Sequence, residues 1–527
     1  MSDLQLDAAK LDVSSEGVRE FTWPVSRAGL LATRDAFITA CIGLARQQTN
    51  ADWRDWLSVL SPHAMAEVMT VYSAWALRQH CRNSGQACHT VPQNRLLSSF
   101  LRDQCPQGSL LADRLRQGMP KPSGLRLPLR IARSLLVRDG LRRLYFGEPG
   151  AQPGPVVITT SGRISAHARR NNRPVTYIGP HVWFGPLAES DLKAATAAVS
   201  ESGLAEVLVR IAAEAFAAGG VALEGAAREY LADYFLDALA GICARLKSLL
   251  ERPERLPREL WTGAGSPIWP RLLRHAVRRA GGWITGFDHT PGSSYTTSIQ
   301  KTVVDFEACN EFRTISPGQA EAYPRWTLRL DLLVQPHPPV IVGHEQVITR
   351  ARTARPDKIR RVMLVTSEYT TEMERGLPLL PVPVLVDWHA RLLGRLKALG
   401  YEVLLKGHPE SDQPFPDAFS AITGQPPLQG RFENLASQAD AVIFDWSRTT
   451  TLAAALQFDL PIVHIDFGLG FLTNQADAML SRRCATVRGW LDRDNRCQIA
   501  WDELQQAIET APGLTDREFE ACYLNLQ

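Results

Sequence analysis

KGHP, residues 406–409, and FDWSRTTTLAAALQFDLPIVHID, residues 444–466, decide the fold. Val403, Leu404 and Leu405, ahead of the first stretch, read as a short buried strand. Pro409 has no amide with which to extend it, so Lys406 and His408 fall just past its carboxyl end. The second stretch repeats the plan: 441–444 is a strand, 445–448 a turn and 449–456 a helix of good helix formers, after which Pro461, Ile462 and Val463 open a further strand. Such alternation implies a parallel, doubly wound α/β sheet, and ligands bind beyond the carboxyl ends of such strands. The ends of two neighbouring strands are thus expected to carry a cation, an imidazole and the hydroxyls of Ser447, Thr449 and Thr450. The hydroxyls crowd a helix start, where unpaired amides and the helix dipole favour an anion. Singly, these signals have bland readings: a Lys-x-His loop is usually solvated, and a Ser/Thr cluster before a helix is usually an N-cap. Their order along one sheet points to a phosphate site.

Working outward, 361–365 opens this sheet and runs into the loop Ser367, Glu368, Tyr369, and a helix over 386–399 leads to the KGHP strand. The Pro-rich segment 336–340 and the polar run 350–358 read as the linker to an earlier sheet. There, strands at 155–158 and 175–180 flank a helix over 164–170, a βαβ unit. Further strands are expected at 259–263, 282–286 and 311–315, with a basic helix over 270–279 between the first two. The Ala-rich stretch 190–250 is helical and is expected to pack on that sheet. Residues to about 110 read as helices, 51–60 and 64–82, broken at Ser61 and Pro62. His63, His80 and His89 in this region have no carboxylate or cysteine partner at metal spacing. The expected division is 1–120 as a helical accessory region, 121–345 as a first Rossmann-like domain with a helical insertion, and 346–527 as a second.

A chain of 527 residues exceeds one core, and 45% hydrophobic with 21% charged residues is an ordinary globular composition. A net charge of +3 gives no case for nucleic acid as the main partner. The nine cysteines are scattered without a CxxC pair, as expected of a reduced cytoplasmic protein. The first residues are polar and acidic, unlike a signal peptide, and no run of about 18 uncharged apolar residues is present. Residues 121–143 are strongly basic among leucines, which suits either a solvated helix face or peripheral contact with anionic lipid at the inner membrane face.

The first sheet offers its own candidate, GFDHTPGSSY, residues 286–295. Gly286, Pro291 and Gly292 make a tight turn that would present Asp288 and His289 at a strand's carboxyl end. The structural alternative is an Asx-turn closed by Asp288.

KGHP and FDWSRTTT resemble the HP and Ser/Ser-Thr motifs of bacterial sialyltransferases and capsule Kdo transferases, and more loosely the KxHP and DYSS motifs of CDP-glycerol glycerophosphotransferases. The resemblance covers about 355–480, is patchy over 155–320 and is absent before that. It implies a GT-B fold, two Rossmann-like domains facing across a cleft, with the donor on the second domain and the acceptor on the first. It further implies a cytoplasmic glycosyltransferase moving Kdo or a sialic-acid-like ulosonic acid from a CMP-sugar to a surface-polysaccharide or glycolipid acceptor. The alternatives are a CDP-glycerol glycerophosphotransferase and a non-catalytic nucleotide-sugar-binding protein of capsule assembly.

On this reading Asp288, or next His289, is the acceptor-side base or nucleophile, although the loop matches the families' patterns only in part. Lys406 neutralises the donor phosphate and His408 donates to the departing oxygen, while Gly407, Ser367, Ser447, Thr449 and Thr450 complete the donor site. Glu433 resembles the carboxylate that binds the donor ribose; its other reading is a helix-start glutamate. Such fixed donors can stand in for a divalent metal, so neither metal nor cofactor is expected. The one DxD pattern, Asp492 to Asp494, reads as a charged turn. GxSxG, Walker A and GxGxxG patterns are missing.

Overall fold

The computed structural model describes residues 4–5, 21–89, 94–119, 154–159, 162–263, 265, 267–288, 292, 294–343, 356, 358–369, 380–409, 411 and 414–526. The expected apolar runs become strands in two six-stranded sheets of one plan. Apart from a parallel pair, β1 (Leu4–Gln5) and β2 (Cys88–His89), the first sheet holds β3 (Val156–Val157), β4 (Thr176–Tyr177), β5 (Glu259–Thr262), β6 (Trp283–Phe287), β7 (Glu311–Arg313) and β8 (Val340–Val342). Their order is β4-β3-β5-β6-β7-β8, with every pair parallel. The second holds β9 (Arg361–Val365), β10 (Glu402–Lys406), β11 (Ala441–Phe444), β12 (Ile462–Asp466), β13 (Ala485–Leu491) and β14 (Cys497–Ile499). Its order is β10-β9-β11-β12-β13-β14, antiparallel only at the last pair. The chain is therefore mixed α/β.

Strand order reverses between β3 and β5 and again between β9 and β11, which opens a crevice at each sheet's carboxyl edge. Both faces of the second sheet are buried: Val362, Leu364 and Ile443 point into one core, and Met363, Leu404 and Val442 into another. This explains the unbroken apolar runs of its strands.

Three expectations change. The KGHP and FDWSRTTT strands are not neighbours, because β9 lies between β10 and β11. Segment 336–340 is not wholly linker: Val340 begins β8, which pairs along β7. The helices at 204–218 and 225–250 join the N-terminal helices in a common core, with Phe37 stacked on Phe235 and Tyr72 edge-on to Phe216. One described helix, Arg27–Gln47, is long and apolar enough to cross a membrane by length and composition alone, and its Phe37, Ile38 and Cys41 are buried in that core. The basic stretch 121–143 and most of 344–357 lie outside the described residues.

Pro62 does not break its helix, which runs unbroken over Ala51–Ser84. A proline here removes the amide that would bond the Ser58 carbonyl. Buried Arg271 replaces it, donating to Ser58 O from Nε at 3.1 Å and Nη2 at 2.5 Å, and to Val59 O at 3.2 Å. Burial and the neighbouring Arg274 push this guanidinium down to about 9. Arg271→Leu is expected to cost about 3 kcal/mol in chemical denaturation, the scale for orphaning buried acceptors of a charged donor. The cost should shrink in a Pro62→Ala background, which restores the helical amide; equal costs in both backgrounds would refute the coupling.

After the second sheet the chain returns to the first. Ser316 Oγ donates to Cys522 O at 2.7 Å, Gln319 Nε2 to Tyr523 O at 2.7 Å, and Phe519 and Tyr523 pack on Tyr295.

Candidate functional site

β11 delivers Asp445 to the reversal point of the second sheet, and β9 delivers the loop that ends in Tyr369. His389, from the helix Val382–Ala398, joins them. Its Nε2 lies 2.7 Å from Asp445 Oδ2, which also accepts from Trp388 Nε1 at 3.1 Å. Its Nδ1 lies 2.6 Å from the Tyr369 hydroxyl. A carboxylate accepts from Nε2–H, so Nδ1 is left to accept from the phenol. Burial and the nearby Asp445 raise the Tyr369 phenol well above its usual range, keeping it a donor. This buried Tyr-His-Asp chain clamps the two loops that border the crevice. Sequence reading missed it, since Tyr369 and Asp445 read as loop and turn; the available signal was the run Asp387, Trp388, His389 directly after the apolar residues 382–386.

The hydroxyls beyond β11 separate into different roles. Thr449 is the N-cap of the helix Thr450–Gln457, its side chain accepting from Thr451 N at 3.1 Å, so the cap reading holds for it. Thr450 is exposed at the first helical position. Ser447 is 1% exposed, and its Oγ has no hydrogen-bond partner among the described residues. Gly470 makes room for it: a Cβ there would lie 2.3 Å from Ser447 Oγ. Asp445 Oδ1 and Thr366 Oγ1 are also buried without partners among the described residues, and Ser367 is half-buried beside Thr366. An unmet buried hydroxyl costs about 1–3 kcal/mol, so a ligand oxygen arriving here is favoured. Ser447→Ala should leave the melting temperature of the ligand-free chain unchanged or raised, as no bond is lost. A fall of several degrees would show that the hydroxyl has a structural partner.

Lys406 ends β10, two strand spacings from β11, or roughly 10 Å. It is buried, its ammonium donates to Gly407 O at 2.5 Å, and burial lowers its pKa while nearby Glu433 opposes the shift. Glu433 is exposed in the turn Phe432–Asn434. Gly407 is required by packing, since a Cβ would meet the Phe415 ring at 2.6 Å, and Phe415 in turn packs edge-on against Tyr369. His408 is half-buried on the same turn.

From the first sheet, residues 295–297 run beside 471–473: Thr297 N donates to Phe471 O at 2.8 Å and Thr473 N to Tyr295 O at 3.0 Å. The Tyr295 hydroxyl donates to Ser447 O at 3.0 Å. The loop after β6 is thereby tied to the Ser447 loop.

Asp288 follows β6 as expected, but it does not present an open carboxylate. It is 0% exposed; Lys301 Nζ donates to Oδ1 at 2.9 Å, and the Tyr323 hydroxyl donates to Oδ2. Lys301 also pairs with Asp305 Oδ2 at 2.8 Å, and Asp305 Oδ1 accepts from Gly265 N at 2.9 Å in the loop after β5. The carboxylate expected to act as base or nucleophile is thus fully desolvated and ion-paired in the ligand-free chain, where it ties the loops after β5 and β6 together. His289 lies outside the described residues.

Among the described residues no group of three or more His, Cys, Asp or Glu is placed to hold a metal. Asp492 Oδ1 accepts from the amides of Asp494 and Arg496, closing a turn as its sequence suggested. No protein-family model matches this chain, and a search of curated proteins finds no match.

Proposed function

We propose that the chain is a GT-B glycosyltransferase whose second domain binds a CMP-sugar, a Kdo or sialic-acid-like donor, for transfer to a polysaccharide or glycolipid acceptor. The observation that carries this reading is the buried Ser447 hydroxyl, without a partner among the described residues and two residues before the N-cap of a helix, at the reversal point of the second sheet. The motif resemblance supplies the cytidine donor and the sugar class. Ser447 and the helix amides take the phosphate, with Thr449 holding the helix start rather than the ligand. Lys406, with Gly407 shaping its turn, supplies positive charge, His408 protonates the leaving oxygen, and Glu433 meets the ribose. Ser367, half-buried just beyond β9, offers a further hydroxyl, and Thr450 contributes its amide. The ends of β10 and β11 lie two strand spacings apart, roughly 10 Å, a span that suits an elongated nucleotide-sugar better than a lone phosphate.

The burial of Asp288 favours a second reading, a nucleotide-sugar-binding protein without turnover. Binding measured beside turnover separates the two. Thermal denaturation of the full chain with CMP, CDP, UDP and GDP tests the shared part. CMP at a hundred times its Kd should stabilise by about 2.7 kcal/mol. A preference for UDP or GDP would overturn the cytidine assignment.

A further inference from the structure

The N-terminal helix, Arg27–Gln47, brings two arginines to the place where the sheets meet. Arg27 opens it and Arg34 follows two turns later on the same face. Their guanidiniums lie 5.3 and 5.7 Å from the centroid of one ring, Phe471. Phe471 is fixed through its carbonyl by Thr297 N, and its neighbour Gly470 packs on Ser447 Oγ. Arg448, next to Ser447, lies over the Trp446 ring at 5.8 Å and reaches Gln300 Oε1 at 3.4 Å.

These positive groups outnumber the carboxylates that meet them. Arg34 Nε pairs with Asp35 at 2.7 Å, whereas Arg27 Nε and Nη2 are buried with no hydrogen-bond partner among the described residues. Arg448 has the amide oxygen of Gln300 but no carboxylate in an ion pair among the described residues. Burial lowers the pKa of both Arg27 and Arg448, and Arg34 lowers each further. Repulsion in a poorly solvated seam destabilises the empty state, and an oxyanion would relieve it with charge-assisted, forked hydrogen bonds.

We propose that Arg27 and Arg34 form an anion site over Phe471, bordered by Arg448 through the Ser447–Gly470 contact, that takes a phosphate or carboxylate group of a substrate. The helical region then contributes to substrate binding and is not merely accessory. The site stands apart from the nucleotide reading, since its cations are not the Lys406 and His408 turn.

The test titrates the full chain with inorganic phosphate in one arm and free N-acetylneuraminate in the other, following melting temperature. At least one probe should stabilise wild type, and the arm that responds identifies phosphate or sugar carboxylate. Arg27→Gln and Arg34→Gln should each weaken that response at least tenfold, while melting no lower than wild type in anion-poor buffer, because repulsion is removed. Equal affinity in wild type and variants, or no response to either probe, would overturn the site. If Arg27→Gln fails to fold, Arg448→Gln reads the site from the other side; failure of both to fold would also overturn it, because the arginines would then be structural. CMP affinity on the same proteins keeps the readings apart: no CMP binding to wild type removes the proposed donor and leaves the anion response intact.

Discussion

Asp288→Asn is expected to lower the stability of the folded chain by about 3–5 kcal/mol, the cost of breaking a buried ion pair by removing one partner. The substitution keeps the shape of the side chain but leaves Asp305 as the one carboxylate paired with the Lys301 ammonium among the described residues, and it replaces the carboxylate that accepts from the Tyr323 hydroxyl with an amide. Lys301 is charged in the fold: burial would lower its pKa, but Asp288 and Asp305 outweigh burial and raise it above 10.5. A raised lysine contributes stability that is fully present below its unfolded value and is lost as pH climbs through the folded one. Wild type should therefore lose stability under alkaline conditions above 10.5, and Asp288→Asn should show a weaker loss over that range. Chemical denaturation measures both, and Asp288→Asn with Lys301→Met should recover much of the cost by removing the stranded charge. Full stability together with abolished turnover would restore Asp288 as the catalytic carboxylate.

Lys406→Ala and His408→Ala are each expected to reduce turnover of a CMP-sugar at least about a hundredfold, as for loss of one oriented donor in the transition state. Neither should unfold the chain, because the Lys406 ammonium bonds only the neighbouring Gly407 carbonyl among the described contacts, and His408 is half-buried on a turn. A loss in kcat exceeding the loss in CMP affinity is the signature of leaving-group stabilisation, whereas equal losses would assign ground-state binding alone. Wild-type turnover in both variants would remove the phosphate role of the KGHP turn.

Strands β9 to β12 of the second sheet were legible because both of their faces are buried and their sequences are largely apolar, whereas β13, with Arg488 and Trp490 exposed, and β14 were not read. Ala441–Phe444 and Arg361–Val365 match the strands read from sequence. What the sequence hid was order: the insertion of β9 between the two motif strands depends on long-range pairing, which no local pattern records. The continuous helix through Pro62 was hidden for the same reason, since the donor that makes proline tolerable lies 213 residues from Ser58 and 212 from Val59 in sequence. At the site, Ser447 was found by its place beyond a strand, while Thr449 could not be told from a cap until its bond to Thr451 was seen. Asp288 was located correctly, but its role depends on Lys301 and Tyr323, neither of which carries a sequence signature. Arg27 and Arg34 lay in a region with no recognised motif and acquire meaning only through Phe471.

The central claim is that the reversal point between β9 and β11 holds the donor phosphate. A crystal structure of the full chain with CMP tests it most directly. A phosphate oxygen is expected about 2.6–3.0 Å from Ser447 Oγ, near the start of the helix Thr450–Gln457, with the nucleotide extending toward the Lys406 turn. CMP bound at another place, with Ser447 Oγ still lacking a partner, would contradict it.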